Sequence, residues 1–312
     1  MTTRLFTLLV LAAGLGIAAE RSVLIEEIKQ TERDFCAAVV KDGGGIAFPQ
    51  FMAEPSVWGG EVYPDRATAS AKIANRPRRP GVATYWDPFF ADVSLAGDLG
   101  YAIGNSWVTG LKTPEGQPRK SEGFTFTVWR KQADGTWKFV LDAGGPSTPE
   151  SVAAIVAAAK ASPLDNSPDS AGHDPVQSAR ELRELDDGFA KAANYSTAFL
   201  EAASPHAFSL DLNAYGKAQV ATALAARKIT TASREPLFAE TASSGDLGYS
   251  FGLWQVQTGS ETTPAKGVYF TMWKRQRDGT WRWLIDNTFM APPGPLAEKL
   301  AKFREATVIL NH

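Results

Sequence analysis

The sequence has very few of the residues from which metal centres and disulfides are built. Among its 312 residues there is one cysteine, Cys36, and there are three histidines, one of which is the last residue. A single cysteine excludes an internal disulfide and a cysteine-rich metal site, and so few histidines argue against a multi-histidine centre. We therefore expect no metal and no cofactor.

An excess of charge of one sign is also missing. The chain has 32 basic and 34 acidic residues, which gives a formal net charge of −2. This balance provides no basic surface field for nucleic acid or for an anionic membrane, so neither is expected as a partner. The 44% hydrophobic content is ordinary for globular proteins, and the length favours two domains.

Long apolar runs are scarce, and the one at the N-terminus is too short to span a membrane. Arg4 precedes an uncharged apolar run over 5–15, and small residues follow before Glu20. A membrane-spanning helix needs roughly 20 apolar residues. The pattern is typical of a secretory signal peptide that is cleaved after Ala18 or Ala19. We expect a periplasmic or secreted protein.

The sequence contains an internal repeat. The segment GDLGY at 97–101 recurs at 245–249, which is 148 residues later. Downstream, FTVWRKQADGTWK at 126–138 is matched by FTMWKRQRDGTWR at 270–282, at an offset of 144 residues. Matches in one order with a single small shift indicate a duplicated domain, because the period is far longer than that of solenoid repeats.

The repeat and the composition between its copies predict five segments. A linker rich in Pro, Ser, Asp and Asn separates the copies, after a short Ala-rich helix. The predicted segments are a signal peptide at 1–19, a first domain at 20–146, the linker at 147–173, a second domain at 174–294 and a C-terminal helical tail at 295–312.

Within each copy, hydrophobic periodicity changes from helical to strand-like. Leu24, Ile28, Phe35 and Val39 form a helical stripe that the second copy repeats. Four strand-like runs then follow, joined by Gly-Asp and Asp-Gly turns that are typical of hairpins. The predicted strands are 84–96, 99–110, 121–132 and 136–142 in the first copy, and 232–244, 247–258, 266–277 and 280–286 in the second. The predicted class is α+β, with helices followed by an antiparallel meander.

Large apolar side chains lie on both faces of the last predicted strands. A meander with one solvated face should alternate apolar and polar residues, which these strands do not do. The helices of each copy would cover one face, and the sheet of the other copy would cover the second. We therefore predict an internal pseudo-dimer and a monomeric chain.

The order of the elements, with the segments GDLGY and TVWRKQADGTWKFVLD, resembles the nuclear-transport-factor-2-like superfamily. The likeness is strongest to SnoaL-like and ketosteroid-isomerase-like relatives, in an exported branch of unknown function. It implies two cone-like units, in which a curved sheet wraps helices around a pocket and sheets pair between units. The superfamily contains isomerases, dehydratases, cyclases, carriers and non-enzymatic modules, so the fold alone does not give a reaction.

Two acids are the candidate catalytic residues. Asp142 and Asp286 occupy equivalent positions, each at the predicted end of an apolar strand. A carboxylate in an apolar cone can have a raised pKa and act as a general base. The alternative is a structural aspartate that accepts backbone N–H bonds where the strand ends.

Eight further residues are candidates for lining a ligand pocket. Trp107 and Trp254 should lie on opposite faces of their sheets, because Trp107 aligns with Gln255 at the 148-residue offset. His206 is either a polar pocket residue or a surface group after a proline, and the aromatics are either pocket or core residues. The candidates are Trp58, Tyr85, Trp107 and Phe126 in the first copy, and His206, Tyr215, Trp254 and Phe270 in the second.

Two functions fit these observations. The first is an exported protein that binds a small apolar or amphipathic molecule in its cone-shaped pockets. The alternative is a metal-independent isomerase, dehydratase or cyclase that uses Asp142 or Asp286 as the base. The absence of a His-Asp-Tyr constellation favours the binding protein, and whether the chain is an enzyme is left open.

Overall fold

The computed structural model of the chain describes residues 2–74, 80–161, 172–259 and 263–290. The predicted C-terminal tail at 295–312 lies outside these residues. Helix α1 (Thr2–Asp42) includes both the predicted signal peptide and the first helical stripe. Within the described part of the chain, no helix combines the length and the apolar character that a membrane crossing requires.

In the residues that the structure describes, the first unit contains three helices and six strands. Its helices are α1, α2 (Gly44–Phe51) and α3 (Arg66–Ala74). Its strands are β1 (Met52–Trp58), β2 (Glu61–Tyr63), β3 (Ala83–Val93), β4 (Leu99–Thr109), β5 (Ser121–Lys131) and β6 (Trp137–Ser147).

A connecting helix and the second unit follow. Helix α4 (Pro149–Ala161) lies between the two units. The second unit has helices α5 (Pro175–Lys191), α6 (Tyr195–Glu201) and α7 (Lys217–Ala226), and strands β7 (Ala203–Ser209), β8 (Ala214–Tyr215), β9 (Ile229–Thr241), β10 (Leu247–Thr258), β11 (Ala265–Arg275) and β12 (Trp281–Met290).

The two six-stranded sheets have the same topology. The strand order is β2-β1-β6-β5-β4-β3 in one and β8-β7-β12-β11-β10-β9 in the other. In each sheet the meander strands are antiparallel, whereas β1 pairs with β6, and β7 with β12, in parallel. The predicted α+β class and the duplication are therefore confirmed.

The repeated Asp-Gly turns have the same local structure in both units. The Asp134 Oδ1 accepts hydrogen bonds from the backbone N–H and the hydroxyl of Thr136, and Asp278 does the same for Thr280. The glycine that follows each aspartate has φ of +84°, which glycine adopts without the steric strain of other residues. These turns fix the register of the last hairpin in each sheet.

One face of each sheet packs on the unit's own helices. Ile28 and Phe35 of the predicted α1 stripe are completely buried against the first sheet, and Leu182 and Phe189 of α5 occupy the same positions in the second unit. The concave space between each sheet and its helices is called the first cone and the second cone below.

The opposite faces of the two sheets contact each other. Phe126 of β5 stacks on Phe270 of β11 with ring centroids 4.8 Å apart, and Phe124 meets Phe208 edge-on at 5.1 Å. Ile155 of α4 is buried in the same hydrophobic cluster, which includes residues of both sheets. The apolar character of both faces of the predicted strands is explained by these contacts.

The repeated GDLGY turns also meet at this interface. The carboxylate of Asp246 accepts a hydrogen bond from the backbone N–H of Leu95 at 3.1 Å, and that of Asp98 accepts one from the N–H of Ser243 at 3.0 Å. Each residue is 148 positions from its counterpart in the other bond. The motif that reveals the repeat therefore connects its two copies.

The structure corrects two parts of the strand prediction. Strand β6 continues to Ser147 and β12 to Met290, so Asp142 and Asp286 lie within strands rather than at their ends. The prediction also lacks β1 and β7, which are short and contain a proline, and whose burial does not alternate. Both errors matter for the site, because β1 and β7 flank the strands that carry the two acids.

Candidate functional site

A cavity of about 290 Å³ opens in the first cone. Residues of β3, β4, β5 and β6 form its walls, and Phe48 of α2 closes it from the helical side. The charged residues among its described lining are Asp142 and Glu122, and of these Asp142 lies on the helix-facing side, since Glu122 pairs with Trp107 on the outer face. The residues that line the cavity include Phe48, Trp86, Ser106, Glu122, Thr125, Asp142 and Gly144.

Asp142 lies on the wall of this cavity. It is partly accessible, and its Oδ2 accepts a hydrogen bond from the Thr127 hydroxyl at 3.1 Å. Burial raises the pKa of Asp142 well above its usual value, and the charge of Glu32 raises it further, against hydrogen bonds from Thr127 and Trp58. The carboxyl group therefore favours the protonated form more strongly than an exposed aspartate does.

Glu32, on α1, is a second buried acid beside Asp142. The Trp86 indole N–H donates to its Oε2 at 2.8 Å, and the Trp129 indole N–H donates to its Oε1 at 2.9 Å. Burial raises the pKa of Glu32, and hydrogen bonds from Thr127 and the two indoles oppose this effect. Thr127 thus lies between the two acids and interacts with both.

The second cone contains a buried ion pair instead. Arg234 Nη2 donates to both carboxylate oxygens of Asp286, at 3.0 and 2.8 Å. Its Nη1 lies 3.6 Å from Asp186 Oδ1 and donates to the Thr271 hydroxyl at 2.9 Å. The side chains of Arg234, Asp186 and Asp286 are at most 4% exposed.

The pKa values in the second cone reflect this pairing. Burial raises the pKa of Asp286 and that of Asp186, the latter to about 6, while Arg234 lowers both. Burial also raises the pKa of Tyr195 to about 12. The charges of the two acids raise the pKa of Arg234, although burial acts in the opposite direction. Arg234 is therefore held as a cation by the acids around it.

The acids in the two cones occupy equivalent positions. Asp142 and Asp286 are 144 residues apart, as are Thr127 and Thr271, and each threonine donates to its aspartate. Glu32 aligns with Asp186 at an offset of 154 residues, as Phe35 does with Phe189. Trp86 aligns with Arg234 at 148 residues. The units therefore differ in that one has a tryptophan where the other has a cation.

Side-chain size explains why the second cone is nearly filled. Its remaining cavity has a volume of about 30 Å³. Three small residues on the wall of the first cone are replaced by larger ones in the second cone. At offsets of 148, 144 and 144 residues, Ser106 corresponds to Trp254, Thr125 to Tyr269 and Gly144 to Thr288.

Trp58 and Trp254 are the two predicted pocket aromatics that lie in the cones. Trp58 contacts Phe48 with ring centroids 4.2 Å apart and donates a hydrogen bond to Asp142. Trp254 lies opposite Arg234 in the sheet and lines the small cavity of the second cone. As predicted, Trp107 lies on the other face of its sheet, since it pairs with Tyr85 rather than with Trp86.

Five predicted pocket residues lie elsewhere. Phe126, Phe270 and Tyr215 are buried in the cluster between the sheets, where apolar burial requires large side chains. Tyr85 and Trp107 stack on each other, with ring centroids 5.7 Å apart, on the outer face of the first sheet. Strand alternation places Phe126, Phe270 and Tyr215 on the face opposite the cones, so assigning these three residues to the cones was wrong.

His206 is half-buried on β7, and its backbone N–H donates to Ser204 Oγ at 3.3 Å. It does not contribute to the described lining of either cone cavity. Within the described residues, no group of three or more His, Cys, Asp and Glu side chains lies close enough to hold a metal ion.

Glu32, Asp186 and Arg234 are functional-site residues that were not predicted from the sequence. Each carried a detectable signal: Glu32 and Asp186 are acids on the apolar face of their helices, next to the stripe that contains Phe35 and Phe189. Arg234 is a cation that replaces an inward-facing tryptophan of the other copy. Alignment of the two copies position by position would have revealed all three.

Each unit has the α+β fold that the resemblance to the nuclear-transport-factor-2-like superfamily implied. No protein-family model matches the sequence, and no curated protein matches it either. Solved structures do resemble parts of it. One is a nuclear transport factor 2-like protein from Salmonella enterica, with 13% identity and a TM-score of 0.31, covering 41% of this chain and 93% of that one.

Two other similar solved structures are a dehydrochlorinase and a ketosteroid isomerase-like protein. Hexachlorocyclohexane dehydrochlorinase LinA-type3 from Novosphingobium barchaimii has 17% identity and a TM-score of 0.31, covering 38% of this chain and 84% of that one. A ketosteroid isomerase-like protein from Erwinia carotovora has 10% identity and a TM-score of 0.30, covering 39% and 95%. None of these structures carries a function over to this chain, so its function has to be inferred from the cones.

Proposed function

We propose that the protein binds a small apolar or amphipathic molecule in its first cone. The observation that carries this proposal is that Asp142 faces a cavity of about 290 Å³, whereas Asp286 is paired with Arg234 beside a cavity of about 30 Å³. Apolar walls with a few polar groups are typical of ligand sites. The second cone, in this proposal, has a structural role.

A cavity-filling variant tests the proposal. The panel consists of benzyl alcohol, benzylamine and benzoate, with binding followed by ligand-observed NMR on the full-length protein. We expect at least one compound to bind, and we expect Ser106→Trp to weaken its binding at least tenfold, since the second unit has Trp254 at that position. Trp107→Ser, on the outer face of the sheet, is the matched control and should leave binding unchanged. Failure of all three compounds to bind would overturn the proposal.

An acid–base reaction is the second candidate function. It is favoured by the raised pKa of Asp142 beside a second acid, Glu32. In its ionised form, Asp142 would take a proton from an acidic carbon of the ligand, as an isomerase, dehydratase or cyclase requires. A substrate that is turned over by the wild type should react at least about 100-fold more slowly with Asp142→Asn. An unchanged rate in this variant would exclude Asp142 as the base.

We further propose that the chain is exported and acts as an intramolecular pseudo-dimer. Export rests on the signal-peptide pattern of residues 1–19. The pseudo-dimer is supported by the hydrophobic cluster that the two sheets share. We expect the protein isolated from a periplasm to begin at Ala19 or Glu20 in N-terminal sequencing, and light scattering to give the mass of one chain. An uncleaved N-terminus, or a stable dimer, would contradict the respective part.

A further inference from the structure

In the second cone, two buried acids bind a cationic side chain of the protein itself. The guanidinium of Arg234 lies between Asp286 and Asp186, and its Nε donates to the Tyr195 hydroxyl at 3.0 Å. Its central carbon lies 4.3 Å from the centre of the Tyr269 ring, a distance at which a cation is attracted to the face of an aromatic ring. The second cone is therefore a cation site whose occupant belongs to the protein.

The first cone retains the acids of this site but not its occupant. Glu32 and Asp142 take the positions of Asp186 and Asp286, and Thr127 takes that of Thr271. Trp86 replaces Arg234, and its indole bonds to Glu32. Asp142, in contrast, faces the open cavity without a basic residue among its described lining.

We propose that the first cone binds a small organic cation, an amine or a guanidine with an apolar body, whose charged group pairs with Asp142. This inference rests on the proposed function, since it requires the first cone to be a ligand site. The charged group would take the place in the first cone that the Arg234 guanidinium takes in the second. The aromatic rings of Trp58, Trp86 and Phe48 would lie around the ligand.

The charge distribution favours a cation over a neutral or anionic ligand. Glu32 lies behind Asp142 on α1 and adds a second acid on the same side of the sheet, and the described lining of the cavity contains no basic residue. Thr127 from β5 and Trp58 from β1 are the other groups that interact with Asp142, and both are uncharged. A cation would offset the electrostatic cost of ionising a buried acid, whereas an anion would increase it.

The proposal also predicts a proton release. In the free protein, burial and Glu32 favour the protonated form of Asp142. An ammonium or guanidinium group favours the carboxylate, so binding transfers the Asp142 proton to the buffer. The affinity for a cation should therefore rise with pH until Asp142 is ionised in the free protein, and the affinity for a neutral analogue should not.

Calorimetric titration of the full-length protein with benzylamine, benzamidine, benzyl alcohol and benzoate tests the inference. We expect the two cations to bind at least tenfold more tightly than benzyl alcohol at pH 7, with a binding enthalpy that varies with the ionisation enthalpy of the buffer. Asp142→Asn should remove this preference, because it should weaken the binding of the two cations much more than that of benzyl alcohol. Asp87→Asn, an exposed acid on β3, is the matched control and should behave as the wild type.

The outcomes separate this inference from the proposed function. Binding of benzyl alcohol with equal or greater affinity than benzylamine, or a preference for benzoate, would overturn the cation site and leave the ligand pocket in place. An unchanged cation preference in Asp142→Asn would also overturn it. Failure of every compound to bind would count against the ligand pocket itself, and therefore against both.

Discussion

The two cones begin from the same pair of buried acids and differ in how the charge of these acids is compensated. In the second cone, Arg234 pairs with Asp286 and lies beside Asp186, and large side chains fill the remaining space. In the first cone, indole and hydroxyl groups donate hydrogen bonds to the acids, and a cavity remains. After duplication, one unit therefore neutralises its buried acids with its own arginine. Its counterpart keeps an acid beside an open cavity that has no basic residue among its described lining.

The comparison predicts its largest effect at Arg234. Arg234→Met leaves Asp186 and Asp286 buried without their cation, and breaking a buried pair in this way typically costs about 3–5 kcal/mol. We expect a loss of that size in the free energy of unfolding measured with urea. Arg227→Met is the control, because its pair with Asp211 is 37% exposed on the arginine side and should contribute about 1 kcal/mol or less.

A second variant separates charge from packing at the same position. The combination of Arg234→Met with Asp286→Asn removes one of the unpaired carboxylates, so it should recover a large part of the lost stability. If Arg234→Met alone costs less than about 1 kcal/mol, the ion pair does not stabilise the second cone, and the contrast between the two units does not hold.

The interface between the units offers a smaller test. Lys274 and Arg130 are equivalent residues, 144 positions apart. Lys274 pairs with Asp92 at 3.3 Å with both side chains at most 4% exposed, whereas Arg130 pairs with Glu240 at 2.9 Å with both nearly 30% exposed. The two pairs connect the same sheets from opposite sides.

Removal of the buried Lys274 should lower the free energy of unfolding more than removal of the more accessible Arg130. We expect Lys274→Met to lower the free energy of unfolding by about 1–3 kcal/mol, since Arg21 still pairs with Asp92 at 2.7 Å. Arg130→Met should cost about 1 kcal/mol or less, and its effect should shrink with added salt. Urea titrations at low and high salt measure both, and equal losses would contradict the difference in burial.

The fold was predictable from the sequence because its signals are local and repeated. The helical stripe through Phe35, the alternating strands and the Asp-Gly turns all depend on neighbouring residues, and each occurs twice. Strands β1 and β7 were missed because each is short and pairs with a strand far away in the chain. Their existence depends on tertiary contacts rather than on a periodic pattern.

The site was predictable only in part, because its character depends on which side chains meet in space. Asp142 and Asp286 were identified, but their surroundings come from helices and strands far away in the sequence. Glu32 on α1 is 110 residues from Asp142, and Arg234 is 52 residues from Asp286. Of the aromatics, strand alternation alone could have placed Phe126 and Phe270 on the face opposite the acids, since each is adjacent to an inward-facing threonine.

The two equivalent aspartates give the sharpest contrast, since the same substitution should change the free energy of unfolding in opposite directions at the two positions. The pKa of Asp142 is raised in the folded state, so the folded protein holds this proton to higher pH than the unfolded chain does. The free energy of unfolding therefore decreases as pH rises from the ordinary aspartate pKa towards the raised one. Asp142→Asn should remove this decrease and therefore stabilise the protein at pH 7.

At pH 3, where Asp142 is protonated in both states, wild type and Asp142→Asn should have nearly equal free energies of unfolding. Asp286→Asn, in contrast, should destabilise the protein at pH 7, because it removes the carboxylate that accepts two hydrogen bonds from Arg234. Urea titrations of both variants at pH 3 and pH 7 provide the comparison. If both substitutions stabilise the protein, Arg234 does not offset the cost of ionising the buried Asp286. If both destabilise it, ionisation of Asp142 does not destabilise the folded protein.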